Sequence, residues 1–146
     1  MTTANLHREI ELRLRGAQVR YTKGRRAVVE LMAAADGPLS AAEVHERLQG
    51  SVPLSSIYRS LSVLEEAEVL IPHFGQKGLT RYELAEWLLG HHHHLVCIEC
   101  GGVEDFELPD RMEAEVTRLV RGIGDITRFE PVNHALEIEG RCKRCA

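Results

Sequence analysis

Aromatic side chains are scarce in this sequence: three phenylalanines, three tyrosines and one tryptophan make up 5% of its 146 residues. The core must therefore consist mainly of aliphatic side chains, which are available because hydrophobic residues reach 44%. Long apolar runs are also missing, and none approaches the roughly 18 residues of a membrane span. The opening stretch MTTANLHREIEL has no apolar segment of the kind found in secretory signals. We therefore expect a cytoplasmic protein with one medium or two small domains.

Lys and Arg are fewer than Asp and Glu over the whole chain, which has a formal net charge of −4. The charges are unevenly distributed. Residues 1–60 have nine Lys and Arg and six Asp and Glu, whereas residues 61–146 have nine Lys and Arg and sixteen Asp and Glu. This asymmetry indicates that the basic half binds phosphate groups and that the acidic half binds cations. The alternative is that both patterns belong to ordinary solvated faces.

Cysteine is limited to four residues, and all four belong to Cys-x-x-Cys pairs. Disulfides are disfavoured in the cytoplasm, where two such pairs are typical of a tetrahedral zinc site. The 41 residues between the pairs exceed the usual ribbon spacing, so the pairs would enclose a small domain. A redox dithiol or free thiols are the alternative. The predicted zinc ligands are Cys97, Cys100, Cys142 and Cys145.

Three helical patterns open the chain. The first covers residues 6–16, and Thr22 is the expected N-terminal cap of the second. Ser40 and Glu43 form a capping box for the third helix, which Gly50 is expected to close.

A fourth helical pattern, over residues 54–67, precedes two strand-like runs, VLIPHF and LTRYEL, around a Gly-Gln-Lys-Gly turn. Helices followed by such a hairpin predict a winged helix-turn-helix. The fourth helix leaves small and polar side chains outward near its N-terminus, as a recognition helix requires. An ordinary amphipathic helix with a solvated face is the alternative. The predicted DNA-contacting residues are Ser55, Ser56, Tyr58 and Arg59 on this helix, with Arg20, Lys23, Arg25 and Arg26 at the DNA backbone.

Residues 85–90, AEWLLG, form the expected hinge between a DNA-binding domain over residues 1–84 and a second domain over residues 91–146. The second domain contains the strand-like runs HHLVCIEC and GGVEDFEL and the helical run PDRMEAEVTRLVRGIG. The expected fold class is α+β, a winged helix-turn-helix followed by a small α/β domain.

The run PVNHALEIEG alternates with period two and predicts the last strand. His134 is expected to share an inward face of this strand with Leu136 and Ile138. A buried histidine that donates to a carbonyl is the alternative to a ligand there.

Four consecutive histidines stand immediately upstream of the first cysteine pair. Because side chains alternate along a strand, His91 and His93 are expected on one face and His92 and His94 on the other. Such a run would serve two metal sites. Glu83 ends the wing hairpin, so a metal held by Glu83 with His92 and His94 would connect the two halves. Further candidate ligands are His73, Asp105, Glu113 and His134.

The stretches SSIYRSLSVLEEAEVL, RYEL, HHHHLVCIECGGVEDF and NHALEIEGRCKRC together resemble the ferric uptake regulator family of bacterial metal-dependent repressors. The resemblance covers about residues 15–146. It implies an N-terminal winged helix and a C-terminal α/β dimerisation domain. It also implies a homodimer that binds double-stranded operator DNA in response to metal and represses metal-uptake or stress genes.

The resemblance also implies three metal sites. The four cysteines correspond to a structural Zn²⁺ site. The regulatory site near the hinge corresponds to Glu83, His92, His94 and Asp105. The second site of the dimerisation domain corresponds to His91, His93, His134 and Glu113, the last requiring a one-residue insertion near Leu108-Pro109.

The sequence departs from the family pattern in two places. Many members carry a metal-binding histidine just before the serine of the third helix, where this sequence has Gly37-Pro38-Leu39. The regulatory site therefore either lacks that ligand or recruits His73. The segment LAEWLLG is also longer than in the shorter members, which would alter the hinge.

The residues only weakly discriminate between regulatory metals. The uninterrupted histidine run resembles zinc-sensing members, Glu83 resembles iron-sensing members, and Asp105 is compatible with the peroxide-sensing type. The Cys and Asp ligands of zinc-uptake regulators near the wing are replaced by Ile71 and RYELAE. We favour Fe²⁺ or Mn²⁺ over Zn²⁺, although His and carboxylate ligands accept all three.

Two other classes of protein remain as alternatives. A zinc-dependent hydrolase would need an open metal position and a general base, and the sequence has no HExxH motif. A metal-binding or storage module would leave the fourth helix, with Tyr58 and Arg59, unexplained. We therefore predict a regulator and not an enzyme.

Overall fold

A computed structural model describes residues 2–75 and 78–146, and the chain divides into two compact units, Met1–Gly90 and His91–Ala146. The domain end at residue 84 and the hinge over residues 85–90 remain predictions from the sequence. In chain order the elements are α1 (Thr3–Gly16), α2 (Lys23–Ala34), β1 (Leu39–Ser40), α3 (Ala41–Arg47), α4 (Leu54–Glu66), β2 (Leu70–Phe74), β3 (Thr80–Leu84), α5 (Glu86–Leu89), β4 (His93–Cys97), β5 (Val103–Phe106), α6 (Asp110–Thr127) and β6 (Glu137–Gly140).

The helices of the first unit enclose an aliphatic core, as the scarcity of aromatics predicts. Apolar side chains at positions i and i+4 of α1 and α4 share one face and are buried together with residues of α2 and β2. Thr22 caps α2 by accepting the backbone N–H of Arg25, which confirms the predicted start of that helix. The buried helical residues include Leu6, Ile10, Leu14, Val28, Val29, Ile57, Leu61 and Leu64.

The capping box of α3 is also confirmed, because the side chains of Ser40 and Glu43 each accept a backbone N–H of the other. The helix nevertheless ends at Arg47, earlier than predicted. Gln49 turns the chain with φ 52°, and Gly50 donates its N–H to the carbonyl of His45 at 3.4 Å. Gly50 therefore closes a Schellman-type reversal beyond the helix rather than its last turn.

The wing is a small antiparallel sheet with strand order β1-β3-β2. β2 and β3 pair from Leu70 opposite Leu84 to Phe74 opposite Thr80, so the predicted hairpin is confirmed. Residues 76 and 77 of the predicted Gly-Gln-Lys-Gly turn lie outside the described residues. α4 precedes this hairpin, which gives the first unit the order of a winged helix-turn-helix.

The second unit is a three-stranded sheet with order β5-β4-β6, in which β4 pairs antiparallel with β5 and parallel with β6. The crossover between β5 and β6 contains α6. The last strand is shorter than predicted, since β6 begins at Glu137, opposite His94. β4 itself begins at His93, so the residues before Leu136 have no strand partner on that side. His134 therefore lies in the loop before β6, and its predicted place on a strand face is wrong.

The helix α6 is mostly exposed within this chain. Its apolar residues include Met112 and Leu119, which are 50% and 64% exposed. None of the helices formed by the described residues is long and apolar enough to cross a membrane.

Candidate metal centres and nucleic-acid interface

The four cysteines converge in the second unit although the sequence separates the pairs. Their sulfur atoms all lie within 4.8 Å of one another, and Sγ of Cys100 is 3.8 Å from Sγ of Cys142. All four are free thiols. A tetrahedral Zn²⁺ with bonds of about 2.3 Å would separate its sulfur ligands by about 3.8 Å. The arrangement therefore fits a zinc ion.

The local backbone favours the thiolate form of two cysteines. Hydrogen bonds from the backbone N–H groups of Cys100 and Cys142 lower the pKa of Cys97 to about 6. A backbone hydrogen bond from Arg144 lowers the pKa of Cys142, whereas a hydrogen bond to Cys142 raises that of Cys145 to about 12. A cysteine cluster whose backbone favours the thiolate form is suited to a divalent cation, because the bound cation displaces the remaining protons.

Sequence reasoning missed the contribution of Arg144 to this cluster. It lies within the second Cys-x-x-Cys pair, and hydrogen bonding to Cys142 raises the pKa of its guanidinium. A site with four thiolates around one Zn²⁺ carries excess negative charge, which a neighbouring arginine offsets. The spacing CKRC was the available signal, since residues inside so short a loop cannot lie far from the sulfur atoms.

The first histidine group brings together the start of β4, the first turn of α6 and the loop before β6. Nε2 of His93 lies 2.8 Å from the Glu113 carboxylate, and Nε2 of His134 lies 2.7 Å from the other oxygen of that group. His91 places its Nε2 at 3.2 Å from that of His134. His93 is buried, and its hydrogen bond lowers the pKa of Glu113. One ligand atom from each of these four residues lies within 4.8 Å of the others.

Unsatisfied atoms in this group point to a cation. Oε1 of Glu113 is buried, and in the described part of the chain it accepts no hydrogen bond of good geometry although imidazole nitrogens surround it. Such an atom is costly to bury without a partner. A metal ion among the imidazoles and the carboxylate would remove that cost.

The second histidine group comprises His92, His94 and Asp105. Because His94 and Asp105 are paired across β4 and β5, their side chains meet on the same side of the sheet. Nε2 of His94 and of His92 lie 3.4 Å and 3.8 Å from Oδ1 of Asp105. That oxygen is buried and lacks a hydrogen-bond partner within residues 2–75 and 78–146. This set too fits a cation.

The histidine run is not one continuous strand, since β4 begins at His93. The prediction of an extended strand is therefore wrong for His91 and His92. The side chains nevertheless divide as alternation predicts, with His91 and His93 beside Glu113 and with His92 and His94 beside Asp105.

The remaining predicted ligands, Glu83 and His73, lie on the wing. Glu83 is buried on β3, and its carboxylate is 2.6 Å from Nε2 of His73 on β2. The two residues are diagonal neighbours in the hairpin register, where Ile71 stands opposite Glu83. The wing thus carries a His–carboxylate pair of its own.

The predicted recognition residues lie on the outer face of α4. Ile57, Leu61 and Leu64 are buried beneath them, so the helix cannot turn this face inward. The helix has no acidic residue in its first turn and no side-chain cap, which leaves its N-terminal N–H groups available to phosphate. Ser55, Tyr58 and Arg59 are exposed and Ser56 is partly exposed.

The start of α2 supplies basic side chains in the same unit. Arg20 and Lys23 are exposed, while Arg25 and Arg26 are partly buried. The side chain of Arg25 donates to the carbonyl of Arg20, and the first turn of α2 contains no acidic residue. These groups can contact a phosphate backbone.

The model of the ferric uptake regulator family matches residues 16–139. The ferric uptake regulation protein of Bacillus subtilis (strain 168) is 33% identical over 142 residues, which cover 93% of this chain and 91% of the relative. The ferric uptake regulator of Vibrio cholerae aligns with a TM-score of 0.71 and 26% identity over 90% of this chain and 98% of that one. The regulator of Pseudomonas aeruginosa, solved with manganese, aligns with a TM-score of 0.65 and 29% identity, covering 89% and 95%.

A winged helix-turn-helix joined to an α/β unit with clustered histidines and cysteines defines a metal-responsive transcription regulator. The extent of the family match makes the assignment specific: this chain belongs to the ferric uptake regulator family. The predicted fold class is confirmed. Because members of this family are transcription regulators, the hydrolase alternative is set aside.

Proposed function

We propose that this protein is a homodimeric, metal-activated repressor that binds operator DNA in the cytoplasm and controls metal-uptake or stress genes. The main support is the histidine run, which supplies ligands to two groups in the unit that directly follows the winged helix. A regulator needs such a connection because an effector can shift DNA affinity only by its difference in affinity for two states of the protein.

The four cysteines would hold Zn²⁺ as a permanent structural ion. The bound ion would supply a cross-link between β4 and the residues that follow β6. Backbone hydrogen bonds lower the pKa values of Cys97 and Cys142, which favours the deprotonated form that binds a metal ion.

The regulatory site would consist of His92, His94 and Asp105, with Glu83 from the wing as the predicted fourth ligand. His73 would orient Glu83 or join the ligand set in place of the histidine that Gly37-Pro38-Leu39 lacks. The second site would consist of His91, His93, Glu113 and His134. Mixed nitrogen and carboxylate donors suit Fe²⁺ or Mn²⁺ and do not exclude Zn²⁺. The manganese in the Pseudomonas aeruginosa relative supports the same preference.

A second copy of the chain would cover the exposed apolar surface of the second unit. Many exposed large apolar side chains in one unit are typical of a surface that another subunit covers. A dimer would also present two recognition helices to successive half-sites of a palindrome. The exposed apolar side chains include Met112, Leu119, Ile123, Ile126, Phe129, Val132 and Ile138.

The test is metal analysis of protein purified without a histidine tag, followed by selection of its DNA operator from a random duplex library. Operator affinity is then measured in chelator and with Fe²⁺, Mn²⁺ or Zn²⁺. We expect about one Zn²⁺ per chain to resist the chelator and one metal to raise operator affinity roughly 5- to 150-fold. Equal affinity under all metal conditions would refute metal activation, and failure to select any duplex would refute the DNA role.

A further inference from the structure

A largely buried histidine contacts the turn that precedes α2. Nδ1 of His7, on α1, lies 2.7 Å from the hydroxyl of Tyr21, and its Nε2 lies 3.0 Å from the carboxylate of Glu30 on α2. The side chain of His7 is only 12% exposed. We call His7, Tyr21 and Glu30 the His7 clasp. None of these three residues belongs to the candidate metal groups or to the predicted DNA-contacting residues.

With a neutral imidazole and an ionised Glu30, the clasp has one self-consistent arrangement of protons. Burial raises the pKa of Tyr21, so its hydroxyl remains protonated and can donate to Nδ1 of His7. The imidazole then carries its proton on Nε2 and donates to Glu30, an assignment made from the hydrogen-bond network. Each donor thus meets an acceptor. The clasp therefore ties the turn at Tyr21 to both helices.

The ring of Tyr21 is held from a second side. The guanidinium of Arg26 lies over this ring at 4.3 Å from its centroid, and Nη2 of Arg26 is 3.6 Å from the carboxylate of Glu11. A cation over an aromatic face restricts the ring without involving the hydroxyl. Replacing Tyr21 with Phe therefore removes the hydrogen bond while keeping the ring and its cation.

One of the residues beside Tyr21, Arg20, is predicted to contact the DNA backbone. Arg20 is exposed immediately before Tyr21, and Thr22 caps α2 immediately after it. The packing of α1 does not depend on the clasp, because Leu6, Ile10 and Leu14 are buried in the core. The ring of Tyr21 packs against this core. Its hydroxyl, in contact with His7, restrains the turn.

We propose that His7 and Tyr21 are positioning residues that hold Arg20 against a phosphate of bound DNA. This inference rests on the proposed function. The clasp acts on Arg20 by restricting the backbone on either side of Tyr21, so that less side-chain and backbone freedom is lost when DNA binds. Phosphate contacts carry no sequence information, so the effect must be the same on every duplex.

The experiment measures binding of the full-length protein, loaded with zinc and the activating metal, to two duplexes. One is a 30-base-pair duplex of arbitrary sequence, and the other is an operator obtained by selection. The variants are Tyr21→Phe, His7→Phe, Arg20→Ala and the double variant Arg20→Ala with Tyr21→Phe. Tyr82→Phe is the matched control, because it removes a hydroxyl from another tyrosine packed against the same core.

We expect Tyr21→Phe and His7→Phe to weaken binding to both duplexes by a similar factor, roughly tenfold at 0.1 M salt. The slope of log affinity against log salt concentration should become shallower by about one to two units, since a dimer has two such contacts. In the Arg20→Ala background, Tyr21→Phe should have no further effect, because both changes act through one contact. Tyr82→Phe should bind as the parent does.

Three results would overturn the inference. They are an unchanged salt slope in Tyr21→Phe, a loss confined to the selected operator, and additive losses in the double variant. A lower thermal midpoint with an unchanged slope would assign the clasp to stability alone. If the parent protein binds neither duplex, the proposed function fails rather than the positioning role.

Discussion

Nε2 of His93 lies 2.8 Å from the carboxylate of Glu113, which joins the first residue of β4 to the first turn of α6. The sequence separates these residues by a strand, a turn and a second strand. Their meeting places one histidine of the run in the interior of the second unit. The neighbouring histidine, His92, belongs to the other group, with Asp105. Two adjacent residues thus have different expected effects on DNA binding.

We predict that His92→Ala abolishes metal-stimulated operator binding, whereas His91→Ala retains part of it. The reason is that the predicted regulatory set contains His92 and the wing residue Glu83, while His91 stands with His134 and Glu113. The expected increase in operator affinity caused by the metal is roughly 5- to 150-fold. The measurement is operator affinity of both variants with and without the activating metal, at equal zinc content.

The control is the thermal midpoint of both variants, measured first with the metal removed and then with the metal restored. In the presence of metal, the second unit of His91→Ala should unfold at a lower temperature than that of the parent protein. Equal loss of stimulation in both variants would mean that the two histidine groups do not act separately.

Replacing Cys142 with Ser should remove one sulfur ligand from the zinc cluster, while the backbone N–H of residue 142 can still donate to Sγ of Cys97. We expect tightly bound zinc to fall from about one per chain to well below one, with loss of the dimer, because a structural zinc site contributes directly to folding. Elemental analysis and sedimentation velocity measure the two effects. Lys143→Ser changes a residue between the same cysteines without removing a ligand, and it should keep both zinc and dimer.

Arg59→Ala should weaken binding to the selected operator by roughly 10- to 150-fold if the arginine reads a base edge, without changing metal content. Tyr58→Phe should have a smaller effect, since it removes only the hydroxyl. Arg8→Ala is the control, because Arg8 is a similarly exposed arginine on α1. Unchanged affinity in Arg59→Ala would show that the exposed face of α4 is not the recognition surface.

Glu43 should make the stability of the first unit depend on pH. Burial raises the pKa of its carboxyl, but hydrogen bonds from Ser40 and Arg81 outweigh burial and leave the pKa below its ordinary value. A lowered pKa in the folded state means that the stabilisation is complete above the unfolded value and is lost as pH falls through the folded one. Glu43→Gln should therefore lower the free energy of unfolding by about 0.5–1 kcal/mol at pH 7, a small value because solvent screens the site.

This difference should vanish well below pH 4.5, the carboxyl's ordinary pKa. Urea unfolding can be followed by the fluorescence of Trp87, the single tryptophan, which belongs to the first unit. Glu46→Gln on the same helix is the control. A destabilisation of Glu43→Gln that is the same at pH 7 and well below pH 4.5 would assign the effect to the shape of the side chain rather than to its charge.

Local patterns predicted the helical part of the molecule well. The caps at Thr22 and Ser40 and the buried faces of α1 and α4 depend on residues within a few positions of each other. The hairpin followed from strand patterns on both sides of a glycine-bounded turn. The ends of α3 and β6 were predicted less well, because a reversal at Gln49 and the absence of a strand partner before Leu136 depend on neighbours in space.

By itself, the sequence determined that the chain has two Cys-x-x-Cys pairs, a histidine run whose side chains divide into two sets, and a helix with Tyr58 and Arg59 outward. The family resemblance also implied that Glu113 and His134 accompany His91 and His93, and the CKRC spacing indicated that Arg144 lies near the sulfur atoms. Only the tertiary structure decided the distances within these groups and the contact of His7 with Tyr21. Spacing along one strand or helix has a fixed period, so side-chain direction follows from residue order. Contacts across a crossover depend on sheet register and helix rotation, which are set by the packing of the whole unit.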